Sequence, residues 1–354
     1  MSLRCGGVEA SIRLVAVGVA CLGGECGLFV AGRAHAAEPQ IDTAPRPFGG
    51  AAAGAVNFRS LPFAFELSEL PELLWRTRMS EYSPDLLVET PWIWRARRPR
   101  ARARLICFPH AGAGAGAYGE WARLLGAEVE LVAVQLPGRQ NRIAEEPVNE
   151  VRPLVRVLTQ ALRPVLDGEF AFFGHSGGAA LAYEVAKTLR EKGGPQPSQL
   201  FLSAQPAPGT VGRVPVMHTL SDAELGAEVV RLGGIEPEIA EDEEVMEGLL
   251  PVLRADFSLW ERHRVEPGPP LDAPITVLSG DADPRAPKDT LYGWAAHTTG
   301  AFRTRFYPGG HFYFMSDPSD LVAYLGQSLG QSLGQSLGRS VSQSLSPELA
   351  GSAR

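Results

Sequence analysis

Between residues 104 and 325 the chain alternates two patterns. Short apolar runs of strand length are each followed by a segment whose apolar residues recur every three or four positions. The runs are "RLICFP" (104–109), "VELVAVQLPG" (129–138), "EFAFFGHSGG" (169–178), "SQLFLSAQPAP" (198–208), "APITVLSG" (273–280) and "FRTRFYPGG" (302–310). The helical segments include "YGEWARLLG", "VNEVRPLVRVLTQALRPVLDG", "AALAYEVAKTLREKG" and "KDTLYGWAAH". Parallel strands need crossover connections, so this rhythm predicts an α/β protein with a parallel sheet covered on both faces.

One stretch breaks the rhythm. From about 206 to 270 no strand pattern occurs, and two helices are predicted instead, in "SDAELGAEVVRLGG" and "DEEVMEGLLPVLRADFSLWERHRV". The first opens with Ser221 and Glu224 at capping-box spacing, and the second in a run of acids that suits a helix N-terminus. Placed after a sheet strand, the pair reads as a lid, with a fixed helical pair as the alternative.

The ends differ from this middle. Residues 1–78 combine an apolar stretch interrupted by Glu25 and glycines, too broken for a membrane span, with an A-x-A-like site at Ala34–Ala36. A secretory signal, a disordered leader and a true start downstream at Met79 all fit; the leader or the later start is preferred. At the other end "GQSLGQSLGQSLGRSVSQSL" repeats with period four, and residues 326–354 read as a low-complexity, frayed extension of the last helix.

A formal charge of -7 over 354 residues argues against nucleic acid as a partner. The six arginines between Arg95 and Arg104 are a local exception, read as a solvated loop. Of four cysteines, only Cys107 falls in the patterned middle, as a buried thiol. With no disulfide framework or metal-ligand spacing there, a reducing cytoplasm suits the chain.

The chemistry centres on Gly174-His175-Ser176-Gly177-Gly178, a G-x-S-x-G with an apolar strand before it and an alanine-rich helix after it. That context predicts a nucleophile elbow: small neighbours admit a strained backbone at Ser176 and close contact of helix and strand. A serine hydroxyl needs a base, and the elbow fold supplies partners in the order serine, acid, histidine. His311, in a glycine-flanked loop after the last strand, is the candidate base. Asp283, in the loop after the penultimate strand, is the candidate acid, with Asp281 as the fallback. Two backbone donors are needed for an oxyanion. Gly177 is one candidate, and Ala111, in "FPHAGAGAGAYGEW", is the other, with Gly112 next. That loop has no G-K-[ST] and is a poor phosphate cradle.

"LICFPHAGAGA", "VQLPGRQNR", "FFGHSGGAALAYEVA", "LLPVLRADFSLWE" and "YPGGHFYF" together resemble the stand-alone type II thioesterases of polyketide and nonribosomal peptide synthesis. The resemblance spans about Pro91 to Leu325 and makes 79–325 the expected α/β-hydrolase domain, with its lid at about 206–270. It implies Ser176, Asp283 and His311 as the triad, and Ala111 and Gly177 as oxyanion donors. It also implies an acyl- or peptidyl-carrier protein as partner, no dissociable cofactor and a monomer, while the charge, the broken apolar stretch and the cysteine usage predict a cytoplasmic enzyme that binds neither nucleic acid nor membrane. One departure is that Gly177 stands where many members carry methionine. A carboxylester hydrolase, possibly exported, a chain-release enzyme and a non-catalytic carrier-binding protein are the competing readings.

Overall fold

The computed structural model describes residues 85–210 and 216–344, with side chains to 331, and the backbone of four short strands between residues 2 and 31. The expectations for Met79 as a start, for most of 1–78 and for 345–354 lie outside the described residues. The chain divides into two units, residues 1–67 and 68–354. In the first unit Ser2–Cys5 pairs with Val8–Ser11, and Ala16–Leu22 with Glu25–Ala31, as antiparallel hairpins.

The second unit is built on an eight-stranded sheet. Its strands are β1 (Leu87–Thr90), β2 (Ile93–Ala96), β3 (Ala103–Phe108), β4 (Val129–Val134), β5 (Glu169–His175), β6 (Gln199–Ser203), β7 (Ile275–Gly280) and β8 (Phe302–Tyr307). Across the sheet the order is β1-β2-β4-β3-β5-β6-β7-β8. From β4 to β8 every pairing is parallel, while β1 and β2 are antiparallel additions at one edge. The six predicted runs are β3 to β8.

The edge hairpin was not predicted, and it changes the reading of the arginine run. Arg95 lies in β2 and Arg104 in β3, and both reach Glu130 of β4, at 2.7 and 3.0 Å. Arg98 is buried and donates to the carbonyls of Leu125 and Gly126, at 2.7 and 2.6 Å, and of Ala122. The run is therefore no solvated loop. Half of its arginines fasten the edge hairpin to the sheet, because a buried guanidinium requires acceptors.

Strand alternation sorts the core into two layers. Ile106 and Phe108 join one cluster, and Leu105 and Cys107 the opposite one. The helices α1 (Gly119–Leu124), α2 (Val151–Ala161), α3 (Gly177–Glu191), α4 (Asp222–Leu232), α5 (Pro237–Ala240), α6 (Glu243–Arg262), α7 (Lys288–Leu291) and α8 (Ser319–Ser344) cover the sheet and the inserted region. α2 and α3 supply Leu154, Leu158, Leu181 and Val185 to the first cluster. Trp121 of α1 and Leu321, Leu325 and Leu329 of α8 fill the second. Burial of Cys107 raises its thiol pKa well above the ordinary value, so the thiol stays protonated.

The insertion after β6 carries α4 to α6. Ser221 accepts from the Glu224 amide while the Glu224 carboxylate accepts from the Ser221 amide, the predicted capping box. Asp242 caps α6 through the amides of Glu244 and Val245. Leu225, Val229 and Leu232 of α4 pack with Met246 and Leu253 of α6 in a third apolar cluster, which encloses one side of the cavity described next. Among the described residues no helix is long and apolar enough to cross a membrane.

Candidate active site

Strand β5 delivers Ser176 to a sharp turn before α3. Its backbone has φ 53° and ψ -125°, a conformation that a residue with a Cβ adopts only under constraint. The constraint is visible in the flanking glycines. A Cβ on Gly174 would lie 2.2 Å from the Gly178 carbonyl oxygen, and one on Gly178 would lie 2.2 Å from the Phe108 carbonyl oxygen. Bulk at either position would push α3 away from the sheet. The Ser176 amide is fixed by the Ser203 carbonyl at 2.8 Å.

The acid and the imidazole arrive from the ends of β7 and β8. His311 Nδ1 donates to Asp283 Oδ2 at 2.8 Å, and both side chains are buried. Asp283 also accepts from Ser279 Oγ at 3.4 Å and from the amides of Arg285 and Ala286 at 2.8 and 3.3 Å. These donors hold the carboxylate as an acceptor, so the Nδ1 proton stays on the imidazole and Nε2 keeps its lone pair. Asp281, the fallback acid, is exposed and accepts instead from the Gly309 amide at 3.1 Å. Ser176 and His311 line the same two cavities. No hydrogen bond joins them among the described residues, which is common before substrate closes a site.

Ala111 borders both cavities, and Gly177 borders one. At the first position of α3, Gly177 has no intrahelical acceptor for its N–H. Gly112, the second choice in its loop, donates to Asp256 Oδ2 at 2.8 Å and is not free for substrate.

That bond belongs to a network whose members were individually visible in the sequence and whose union was not. Arg139 of "LPGR" makes a bidentate pair with Asp256 of "LRADF", at 2.6 and 2.9 Å, and donates further to the Pro137 and Ala113 carbonyls. Gln135 accepts from the Ala115 amide and donates to the Arg139 carbonyl. Helix α6, the 111–115 loop and the turn after β4 are thereby joined by buried, fully partnered charge. An acid inside the apolar run "LLPVLRADFSLW" was the available signal, since a buried carboxylate demands a cation.

The cavities meet at Ala111, Ser176, Phe257, Arg285 and His311. One, of about 120 Å³, is walled by Val229, Leu232, Ile235, Leu249 and Leu253, on and beside α4 and α6. The other, of about 360 Å³, has more polar walls that include Gln205, Thr210, Glu261 and Arg264. Among the described residues no cluster of side chains could hold a metal ion.

Trp260 of α6 occupies the space that Gly177 leaves open. A Cβ on Gly177 would lie 2.4 Å from the indole Nε1. We therefore expect Gly177→Met to cost about 1–3 kcal/mol through overpacking, and Trp260→Ala to relieve it in the double variant. Urea unfolding of the four proteins checks this; strictly additive effects would mean that the two positions do not share the space.

Two further histidines pack against the site. His175 is fully buried, with Nδ1 2.9 Å from Ser203 Oγ and its ring centroid 4.9 Å from that of His311. Burial first, then the neighbouring His311 and Arg139, push His110 down to about 3, and burial also holds His175 well below its usual range. A histidine depressed in the folded state takes up its proton more readily when unfolded. Stability conferred by these groups is therefore complete above about pH 6.5 and is lost as pH falls toward 3. The expected slope approaches about 1.4 kcal/mol per pH unit for each histidine. Urea midpoints measured from pH 7 to 5 check it, and a flat profile would contradict it.

A mostly parallel sheet in this order, a strained serine between β5 and α3, and a buried Asp–His pair beyond β7 and β8 define an α/β-hydrolase. Within that class the chain belongs to the thioesterase family: the family model described as "Thioesterase domain" matches residues 103–328. Gramicidin S biosynthesis protein GrsT of Aneurinibacillus migulanus is 34% identical over 229 residues, which are 65% of this chain and 90% of that protein. The RedJ thioesterase from the prodiginine biosynthetic pathway of Streptomyces coelicolor shares the fold with a TM-score of 0.61 at 42% identity, over 64% of this chain and 90% of its own. The type II thioesterase BorB from the borrelidin biosynthetic cluster gives a TM-score of 0.63 at 37% identity, over 68% and 99%. The protein is a hydrolase acting on thioesters, related to the type II thioesterases of polyketide and nonribosomal peptide pathways.

Proposed function

We propose that this chain hydrolyses misplaced or stalled acyl groups from the phosphopantetheine arm of acyl- or peptidyl-carrier proteins, with Ser176 as nucleophile, His311 as base and Asp283 as the acid that orients it. The observation that carries the reading is the strained Ser176 opening onto the same cavities as a histidine already tethered to a buried aspartate. Ser176 Oγ attacks the thioester carbonyl while His311 Nε2 takes its proton. The oxyanion is met by the amides of Ala111 and Gly177. Collapse breaks the C–S bond, and the imidazolium protonates the departing pantetheine thiolate. Water then attacks the acyl-serine with His311 as base, releasing the carboxylic acid and restoring Ser176. The reaction needs no dissociable cofactor in this reading.

The two cavities suit the two halves of such a substrate. An acyl chain would lie in the apolar chamber beneath α4 and α6, and the amide-bearing arm would lie along the polar cleft. Matched substrates test the assignment: one short acyl group presented as a carrier-protein thioester and as a simple oxygen ester. Preference for the carrier thioester in kcat/KM by a factor of about 100 or more is expected. Faster turnover of the oxygen ester would favour a carboxylester hydrolase.

A further inference from the structure

The guanidinium of Arg285 is unlike the other buried arginines around the site. Arg139 spends its donors on Asp256 and two carbonyls, and Arg142 spends its own on Glu145 and the Gln135 carbonyl. Arg285 is comparably enclosed, with its side chain 13% exposed, yet it donates no side-chain hydrogen bond among the described residues, and its Nη1 is buried without a partner. Its nearest carboxylate, Glu261, stands 3.8 Å away, beyond hydrogen-bond reach. The Glu261 oxygens are already taken by the amides of Met217 and His218 and by His218 Nδ1. The Phe257 ring lies 5.6 Å from the guanidinium carbon, and the charges of Glu228 and Asp283 act on it without a hydrogen bond to its side chain. Leaving donors unmade on a buried cation is costly, so an acceptor from outside the chain would find the group prepared.

Position says where that acceptor sits in a substrate. Arg285 lines both cavities and shares their junction with Ser176 and His311, which is where the thioester must lie. The phosphate of the carrier arm is at the far end of the pantetheine, away from that junction. A carboxylate one carbon beyond the thioester carbonyl stays beside it. Resting on the thioesterase reading above, we propose that Arg285 forms an anion subsite for acyl groups of the malonyl type, whose free carboxylate it receives in charge-assisted hydrogen bonds.

The test uses the full chain, Arg285→Met and Arg285→Lys, with acetyl- and malonyl-pantetheine, neither of which carries a phosphate. Arg285→Met should lower the malonyl-to-acetyl ratio of kcat/KM by about 10–100-fold, the range for losing a hydrogen bond to a charged group, and Arg285→Lys should lower it less. The Arg285 amide that supports Asp283 is a backbone group and survives both changes. Equal losses on the two substrates would overturn the proposal and leave Arg285 a merely structural cation. Calorimetric titration of Ser176→Ala, with and without Arg285→Met, with the non-hydrolysable malonyl amide analogue of pantetheine separates this subsite from the reaction itself. Arg285-dependent binding without hydrolysis of either thioester in the parent would keep the anion subsite and sink the thioesterase assignment. Binding indifferent to Arg285 would sink the subsite. A preference for acetyl-phosphopantetheine over acetyl-pantetheine that is lost in Arg285→Met, with no Arg285-dependent preference for malonyl, would assign the cation to the arm's phosphate and likewise overturn the proposal.

Discussion

Ser176→Ala is expected to remove roughly 10⁴- to 10⁶-fold of the deacylation rate while leaving the protein as stable as before. The rate loss follows from the nucleophile's role, since no other hydroxyl could replace it at the turn between β5 and α3. The retained stability follows from the local geometry. Ser176 Oγ makes no hydrogen bond among the described residues, and alanine keeps both the Cβ and the amide that Ser203 accepts. The urea midpoint should move by no more than about 0.5 kcal/mol equivalent. Substrate binding and the oxyanion donors would sustain the residual rate. A variant within tenfold of the parent would mean that another group carries the reaction.

Asp256→Ala is expected to show the opposite balance. It strands the Arg139 guanidinium, which is buried at 6% exposure, and removes the acceptor of the Gly112 amide. Breaking a buried pair by deleting one partner commonly costs about 3–5 kcal/mol, whereas replacing both partners with apolar groups is often near neutral. Urea unfolding should therefore find Asp256→Ala and Arg139→Ala each strongly destabilised. Asp256→Leu with Arg139→Met should recover much of the loss. Activity should not return with stability, because the Gly112 bond fixes the loop that presents the Ala111 amide, and no apolar side chain can accept it. Single variants weaker by less than about 1 kcal/mol would contradict the account of this network.

How much of this was legible in the sequence depended on how local the cause was. The strands β3 to β8 announce themselves as apolar runs because both sheet faces are covered, so each reads as continuous hydrophobicity. The elbow was legible for a related reason: Gly174 and Gly178 are demanded by contacts within a few residues of Ser176 and with the neighbouring strand. Capping of α4 by Ser221 and Glu224 is likewise a matter of adjacent residues. The edge hairpin was hidden because β1 is exposed along its whole length and β2 merges with an arginine run. Its stabilising partner, Glu130, is 35 residues from Arg95. Distance also hid the Arg139–Asp256 pair, 117 residues apart, and the open guanidinium of Arg285, whose meaning lies in what fails to reach it. The glycine at position 177 could be seen as a departure from the family's methionine. Only the fold shows Trp260 standing in the vacated space.

The most direct test of the central claim is rapid-quench intact-mass measurement of the full chain mixed with an acyl-loaded carrier protein, beside its Ser176→Ala variant. The account predicts loss of the acyl mass from the carrier with the parent only, and an acyl adduct on the parent that maps to the peptide containing Ser176. Equal deacylation by both proteins, or an adduct mapping elsewhere, would contradict it.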